Sequence, residues 1–405
     1  MGYVAFLRQN AAFLTAGLLL TFTSSYGQTY FISLFAGDIK AAFSLTDGQW
    51  GGIYTLGTTL SAIAMVWAGV LTDAFRIRSL AFVIMLGLAA ACMAMAMNTS
   101  WVALILIVLA LRFTGQGMLS QLGSVAMVRW FEASRGKALS ISSMGFALGQ
   151  AVLPIIFVAL FTVMSWRSLW ALAALLVLLT IPLLIRLLRL ERTPQSMADE
   201  MNVTGMDTEH WTRRKMLRSG LFYLMLPTVI GPATWGTALF FHQVHLTETK
   251  SWDLISYVAL MPVYTLAAVV TTFLSGWAID RFGVSRLIPL QMVPFALAFL
   301  VLALTQTIWG AGLGLILFGV GQGILATSTT SFWAAYYGTG HIGAIKALST
   351  ALMVFGSAIG PGITGALIDV GIDFETQMIP IAVFYLFAGG LAAYGVFRNQ
   401  RRLPS

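Results

Sequence analysis

Cysteine is almost missing from this chain. Cys92 is the single copy in 405 residues, which excludes a disulfide framework and a CxxC-type metal site. Charge is scarce as well: Asp, Glu, Lys and Arg make up 9% of the sequence, against about a quarter in soluble domains. That leaves too little polar surface to clothe a water-soluble fold. The short alternating apolar segments of a β-barrel are absent. So is a GxxxxGK(S/T) phosphate loop, so nucleotide hydrolysis is not expected to drive the protein. The opening "MGYVAFLRQN" runs straight into a full-length apolar stretch without a small-residue cleavage site, and no removable signal peptide is expected. Gly2 lacks the downstream Ser or Thr of a myristoylation signal.

What is present is apolar length. Hydrophobic residues make up 58% of the chain, and mean hydropathy is +0.85. Runs of about 20 apolar residues are long enough to cross a bilayer as helices. Twelve such runs can be placed, near 11–36, 47–72, 79–97, 101–122, 138–163, 168–187, 219–242, 253–277, 285–305, 308–331, 342–368 and 377–397. The longest gap between them, 188–218, is polar and charged and divides six spans from six. Within it "DTEHWTRRKMLRS" is expected to form a short surface helix opened by Asp207 or Thr208. The expected organisation is therefore a bundle over 1–187, a cytoplasmic linker over 188–218 and a second bundle over 219–405.

Charge placement gives the orientation. Of 23 Lys and Arg residues, only Lys40, Arg167 and Lys250 fall on the side opposite the N-terminus. By the positive-inside rule both termini are expected in the cytoplasm of a bacterial-type inner membrane. The net charge of +8 then reflects topology. A nucleic-acid partner would need a basic face on an aqueous domain, and none is expected.

The halves echo each other. "GVLTDAFRIRS" (69–79) follows the second run, and "GWAIDRFGVSR" (276–286) follows the eighth. "GQG" occurs at 115–117 and 321–323, and "KALS" at 137–140 and 346–349. Gly145 and Gly149 match Gly356 and Gly360. Motifs kept in order at a near-constant offset point to internal duplication. The glycine pairs, at small-xxx-small spacing and near Pro154 and Pro361, are expected to form rocking surfaces between the halves.

Two six-span halves, a central polar loop and these loop motifs resemble the major facilitator superfamily over essentially the whole chain. The resemblance implies an all-α membrane protein of twelve transmembrane helices in two pseudo-symmetric six-helix bundles. The superfamily's loop motif is G-x-x-x-D-(R/K)-x-G-(R/K)-(R/K). Gly69, Asp73 and Arg78 match it in the first copy, where Ala74 and Arg76 depart from it. Gly276, Asp280, Arg281 and Gly283 match in the second, with Arg286 one place late. The resemblance implies that these residues form a latch holding the cytoplasmic ends together in one conformer. "LTDGQWGGIY" (45–54) and "HLTETKSW" (245–252) further resemble the monocarboxylate and oxalate/formate transporter branches, although 253–277 carries no basic residue.

"ALRFTGQG" (110–117) places Arg112 as the only formal charge near the middle of any span. Leaving an arginine at the bilayer centre costs about 2.5–3.5 kcal/mol. It is therefore expected to face the protein interior or water and to bond carbonyls, hydroxyls, amides or a bound anion. Two readings stand. In one the guanidinium fork contacts a substrate carboxylate; in the other Arg112 serves helix packing. Further substrate-binding candidates are Tyr26, Gln28, Tyr30, Gln116, Trp235, Tyr264 and Gln322. His242 and His245, at i and i+3, are candidates for carrying a coupling proton.

These features imply a secondary active transporter that moves a small organic anion by alternating access, with proton symport or exchange. Efflux of amphipathic or cationic compounds by proton antiport is the alternative. Partners are expected to be a small-molecule substrate, H+ and the lipid bilayer, with the chain a monomer. No nucleophile–base pair or metal cluster appears, so neither an enzyme nor a cofactor is expected.

Overall fold

The computed structural model describes residues 3–68, 71–131, 135–189 and 204–403. Among them no strand forms, and helices joined by short turns make up nearly all of the described chain. Eleven helices are long and apolar enough to cross a membrane. In chain order, as the second to twelfth spans, they are Asp47–Ala68, Ile77–Met97, Trp101–Met127, Ala138–Leu160, Trp166–Leu187, Gly220–Phe241, Leu254–Phe282, Val284–Leu304, Ile308–Tyr337, Leu348–Asp369 and Phe374–Arg402. In lipid each backbone N–H and C=O must be satisfied within its own segment, which is why apolar runs of this length fold as helices. Their outward faces carry exposed apolar side chains such as Val66, Leu106, Leu266 and Phe397. The protein is a multi-pass, all-α membrane protein.

The first span departs from the uninterrupted helix expected over 11–36. A helix Tyr3–Thr23 gives way to a tight turn, Ser24–Gly27. Gln28 is then extended, at φ −86° and ψ 153°. A short helix Thr29–Ile32, a turn Ser33–Phe35 and a helix Ala36–Phe43 follow. The cause is local. Hydroxyl side chains and a glycine crowd this stretch and offer the backbone alternatives to the helical ladder. Ser24 Oγ donates to the Thr21 carbonyl at 2.6 Å, and Thr21 Oγ1 donates out of the span to the Ser142 carbonyl.

The chain forms two compact units, Met1–Ala198 and Asp199–Ser405. In unit 1 the first span packs along the fifth, the second along the fourth and the third along the sixth. In unit 2 the seventh packs along the eleventh, the eighth along the tenth and the ninth along the twelfth. Each pairing of the first half recurs six spans later, so the duplicated motifs sit on a duplicated helix arrangement.

The glycine pairs, expected between the halves, instead close seams inside each unit. A Cβ at Gly145 would strike the Leu18 carbonyl and Thr21 hydroxyl, and one at Gly149 the Ser25 hydroxyl. In unit 2 a Cβ at Gly356 would lie 2.8 Å from the Thr234 hydroxyl, and one at Gly360 would strike the Thr234 carbonyl. Apolar helices in lipid gain close contact where small residues let backbones approach. The nearest backbones here are the first and seventh spans.

Part of the polar stretch 188–218 lies outside the described residues. The remainder packs on unit 2. The helix expected from Asp207 or Thr208 begins later, at Arg213–Met216, where the Thr212 side chain accepts from the Lys215 N–H. Trp211 and Met216 are buried in an apolar cluster with Phe332 and Tyr337. Trp211 donates through its backbone to the Tyr337 carbonyl at 2.9 Å and through Nε1 to the Met206 carbonyl at 3.0 Å. Asp207 accepts a fork from Arg402, at 3.1 and 2.5 Å, which holds its carboxyl below the usual carboxylate range.

Lys250, expected as a loop charge, is fully enclosed. Its Nζ donates to the Ala303 and Thr305 carbonyls, each at 2.8 Å, and pairs with Glu375 at 2.7 Å. The ammonium thus neutralises the C-terminal end of the ninth span and joins it to the first turn of the twelfth. Glu375→Leu leaves that ammonium buried without its counter-ion and is expected to cost about 3–5 kcal/mol. Lys250→Met leaves two carbonyls short of a donor and the partly exposed Glu375 carboxylate without its partner, and is expected to cost about 1–3 kcal/mol. Thermal unfolding of the two variants in detergent checks the order, and equal losses would rule out a buried ion pair as the reason.

Candidate functional site

Arg112 is 1% exposed and points at the break in the first span. Its Nη1 donates to the Gly27 carbonyl at 3.4 Å and to Thr29 Oγ1 at 3.2 Å. Thr29 Oγ1 lies 2.6 Å from the Tyr54 hydroxyl, and the guanidinium carbon sits 5.3 Å from the Tyr54 ring centroid. The charge that the sequence leaves unexplained therefore meets a carbonyl freed where the helix stops, a hydroxyl and an aromatic face. Among the described residues no carboxylate pairs with it.

Counting donors separates Arg112 from Lys250, the two deeply enclosed cations among the described residues. An ammonium has three N–H groups, and Lys250 meets three oxygens. A guanidinium has five, and Arg112 uses only Nη1: its Nε and Nη2 are buried without a hydrogen-bond partner among the described residues. Lys250 is saturated, whereas Arg112 retains donors in the fork arrangement that suits a planar oxyanion.

The backbone around Arg112 is shaped for this approach. Arg112–Leu119 is a π-helical segment within the fourth span, a wider coil that recurs at functional sites. A Cβ at Gly115 would lie 2.6 Å from the Gly27 Cα, and one at Gly27 would strike the Leu111 carbonyl. Two bare backbones thus cross at the break, setting the Gly27 carbonyl over the arginine.

The other candidates are dispersed. Gln28 supplies the break itself, its carbonyl accepting the Phe31 and Ile32 N–H groups at 3.1 Å each. Tyr26 packs edge-on against Phe31 at 5.1 Å and Phe157 at 6.3 Å, and Tyr30 against Phe146 at 5.8 Å. Gln116 is half-buried on the π-helical segment. In unit 2, Tyr264 joins Phe240 and Phe318 in an aromatic group, at 5.4 and 5.9 Å. Gln322 stands one turn beyond Phe318 on the tenth span, and Trp235 packs on Phe384 at 6.0 Å. The "GQG" register pairs Arg112 with Phe318. Where unit 1 sets a cation against Tyr54, unit 2 sets an apolar ring against Tyr264.

His242 stands where the seventh span breaks, at φ −93° and ψ 21°. Its Nε2 lies 3.2 Å from the Pro361 carbonyl. A carbonyl only accepts, so Nε2 carries the hydrogen. His245, 6.4 Å away between ring centroids, approaches Asp373 at 3.8 Å.

The loop-motif residues are only partly described. Gly69 and the Asp73 side chain lie outside the described residues. Arg76 and Arg78 line a pocket with the sixth span. Gly276 has nothing within 4 Å of a Cβ position, whereas Gly283 turns the chain at φ 79°. Asp280 and Arg286 are exposed, and Arg281 lies 5.7 Å from the Trp277 ring.

Sequence reasoning missed Thr29 and Tyr54, the groups that meet Arg112. It also missed most of a cavity of about 410 Å³ in which the hydroxyls of Thr21, Ser120, Ser124, Ser140, Ser142 and Ser143 share the wall with Leu139 and Phe146. The period of those hydroxyls along single helices was available as a signal, but their convergence from three spans was not.

A family model described as the Major Facilitator Superfamily matches residues 17–361 and again 228–404. The chain belongs to that superfamily. A bacterial homologue of the human lysosomal transporter Spinster, inward-facing and unoccupied, superposes with a TM-score of 0.70 at 16% identity, covering 98% of each chain. Its occupied form gives 0.69 at 15%, covering 100% of this chain and 99% of that one. The nucleoside transporter NupG gives 0.66 at 12%, covering 96% of this chain and 98% of that one. Such likeness carries the fold. No curated protein matches the sequence significantly.

Gly115→Ala is expected to force the fourth span off the first-span break and to cost about 1–3 kcal/mol through overpacking. Thermal unfolding checks it. Gly276→Ala, into open space, is expected to change the midpoint little.

Proposed function

We propose that the chain is a secondary active transporter for a small organic anion, a monocarboxylate in the first instance, with Arg112 as the group that receives the carboxylate. The observation that carries this reading is the guanidinium enclosed without a counter-ion, with Nε and Nη2 free of hydrogen-bond partners among the described residues. An oxyanion supplies the missing charge and acceptors together. At 1% exposure Arg112 must be uncovered for solute to arrive, so the reading requires the segment around Gln28 to move during transport. Alternating access by the two bundles, with the loop motifs holding the cytoplasmic ends in one conformer, provides that movement.

His242 is proposed to carry the coupling proton, with His245 and Asp373 beside it. Its support is enclosure at a helix break whose carbonyl end favours a cation. The concentration of basic residues on the N-terminal side supports an inner-membrane setting with both termini cytoplasmic. A second reading, a neutral hydroxylated solute, is favoured by the cavity of Thr21 and its serine neighbours.

The test is uptake into proteoliposomes of labelled lactate, formate and oxalate, competed with ethidium and with uridine. An acid is expected to accumulate, and Arg112→Lys, which keeps charge but loses the fork, is expected to weaken its apparent affinity about tenfold or more, a loss of about 1.4 kcal/mol. Transport of ethidium or uridine in preference to every acid, or an unchanged affinity in Arg112→Lys, would overturn the reading. For symport, uptake is expected to rise with an inward-directed proton gradient and to fall when a protonophore collapses it, and His242→Gln is expected to remove that dependence.

A further inference from the structure

The third and sixth spans of unit 1 run antiparallel. At one end Arg167, opening the sixth span, donates to the Asn98 carbonyl just past the third at 3.0 Å. At the other end, where the third span begins and the sixth finishes, the two helices enclose a pocket of about 490 Å³. Arg76, Arg78 and Arg189 line it, with Ser79, and no carboxylate is among its described lining. Even with both of the acids nearest in sequence, Asp73 and Glu191, turned toward it, three arginines would leave it positive. Its remaining wall is apolar, and two of those side chains, Phe82 at 40% and Val83 at 60% exposure, lie on the outward face of a membrane helix. Such a face is covered by acyl chains.

We propose that this pocket binds the phosphodiester headgroup of an anionic phospholipid, with the arginines on the phosphate and Phe82 and Val83 against the acyl chains. A free phosphate would use the arginines alone, but one lipid molecule uses both halves of the site. Basic pockets between transmembrane helices recognise headgroups in this way. The pocket lies wholly within unit 1 and contains none of the groups assigned to solute or proton; it shares Arg76 and Arg78 with the loop motif, so lipid retention rather than transport is the readout that tests it.

The experiment is native mass spectrometry of the purified full chain with phosphatidylglycerol, phosphatidylcholine and inorganic phosphate offered separately and in competition. Phosphatidylglycerol is expected to remain bound in preference to phosphatidylcholine, and millimolar phosphate is not expected to displace it. Each arginine near a membrane surface contributes about a fivefold affinity factor. Arg76→Gln with Arg189→Gln is therefore expected to weaken retention about 25-fold. Arg76→Lys with Arg189→Lys keeps charge and fold and is expected to hold the lipid, as is Arg401→Gln at an exposed site of unit 2. Equal retention of the two lipids, an undiminished preference in the glutamine variant, or displacement by phosphate alone would each overturn the proposal.

Discussion

A transmembrane helix can stop in the middle of a bilayer only if something meets the backbone groups it releases. In this protein that something is Arg112. The first span breaks between Thr23 and Thr29, and the guanidinium, carried from the fourth span, takes the Gly27 carbonyl and the Thr29 hydroxyl. The relation runs both ways. Without the break the arginine would have no acceptors at that depth, and without the arginine the break would present a bare carbonyl to an apolar surround. Glycines at 27 and 115 allow the two strands of backbone to come close enough for the exchange.

Duplication supplied the frame and divergence supplied the chemistry. The helix pairings of unit 1 recur in unit 2, as do the glycine seams and an interrupted leading span, broken at Gln28 in one and at His242 in the other. What differs is what stands beside the interruption. Unit 1 places Arg112 under a tyrosine ring, while the matched position of unit 2 carries Phe318 in a group of aromatic rings. Unit 2 places its titratable groups, His242 and His245, on the broken span itself. A buried cation and a pair of histidines thus stand beside the interruption in separate bundles.

Much of the fold was legible because hydropathy and helix length report one fact, the thickness of hydrocarbon to be crossed. Eleven spans appear where the apolar runs lie, and the repeated motifs led to the duplicated pairing. The first span was less legible. Its polar residues read as pathway lining, yet Ser24, Gly27 and Gln28 are the means by which the helix ends. The oddity of Arg112 was plain, but its partners lie 83 and 85 residues away, and no local pattern connects them. Lys250 looked like an ordinary loop charge because its three acceptors come from the ends of two other helices. Glycine spacing announced a close approach without saying to which neighbour, and the neighbour proved to be within the same unit.

The glycine seams have a mechanical corollary. On the first span they clamp Leu18 through Ser25, up to the edge of the interruption, and on the seventh they clamp Ile230 through Thr234, two turns short of it. With backbone laid on backbone there is no side chain to compress, so the gripped length behaves as a stiff stalk. Beyond the gripped lengths the hold changes kind: past Gln28 side chains take over, with Phe31 and Phe35 against Trp170 at 5.4 and 4.8 Å. Each unit thus anchors its leading helix backbone-to-backbone at the root and side chain-to-side chain beyond, and the interruptions at Gln28 and His242 lie past the anchored root.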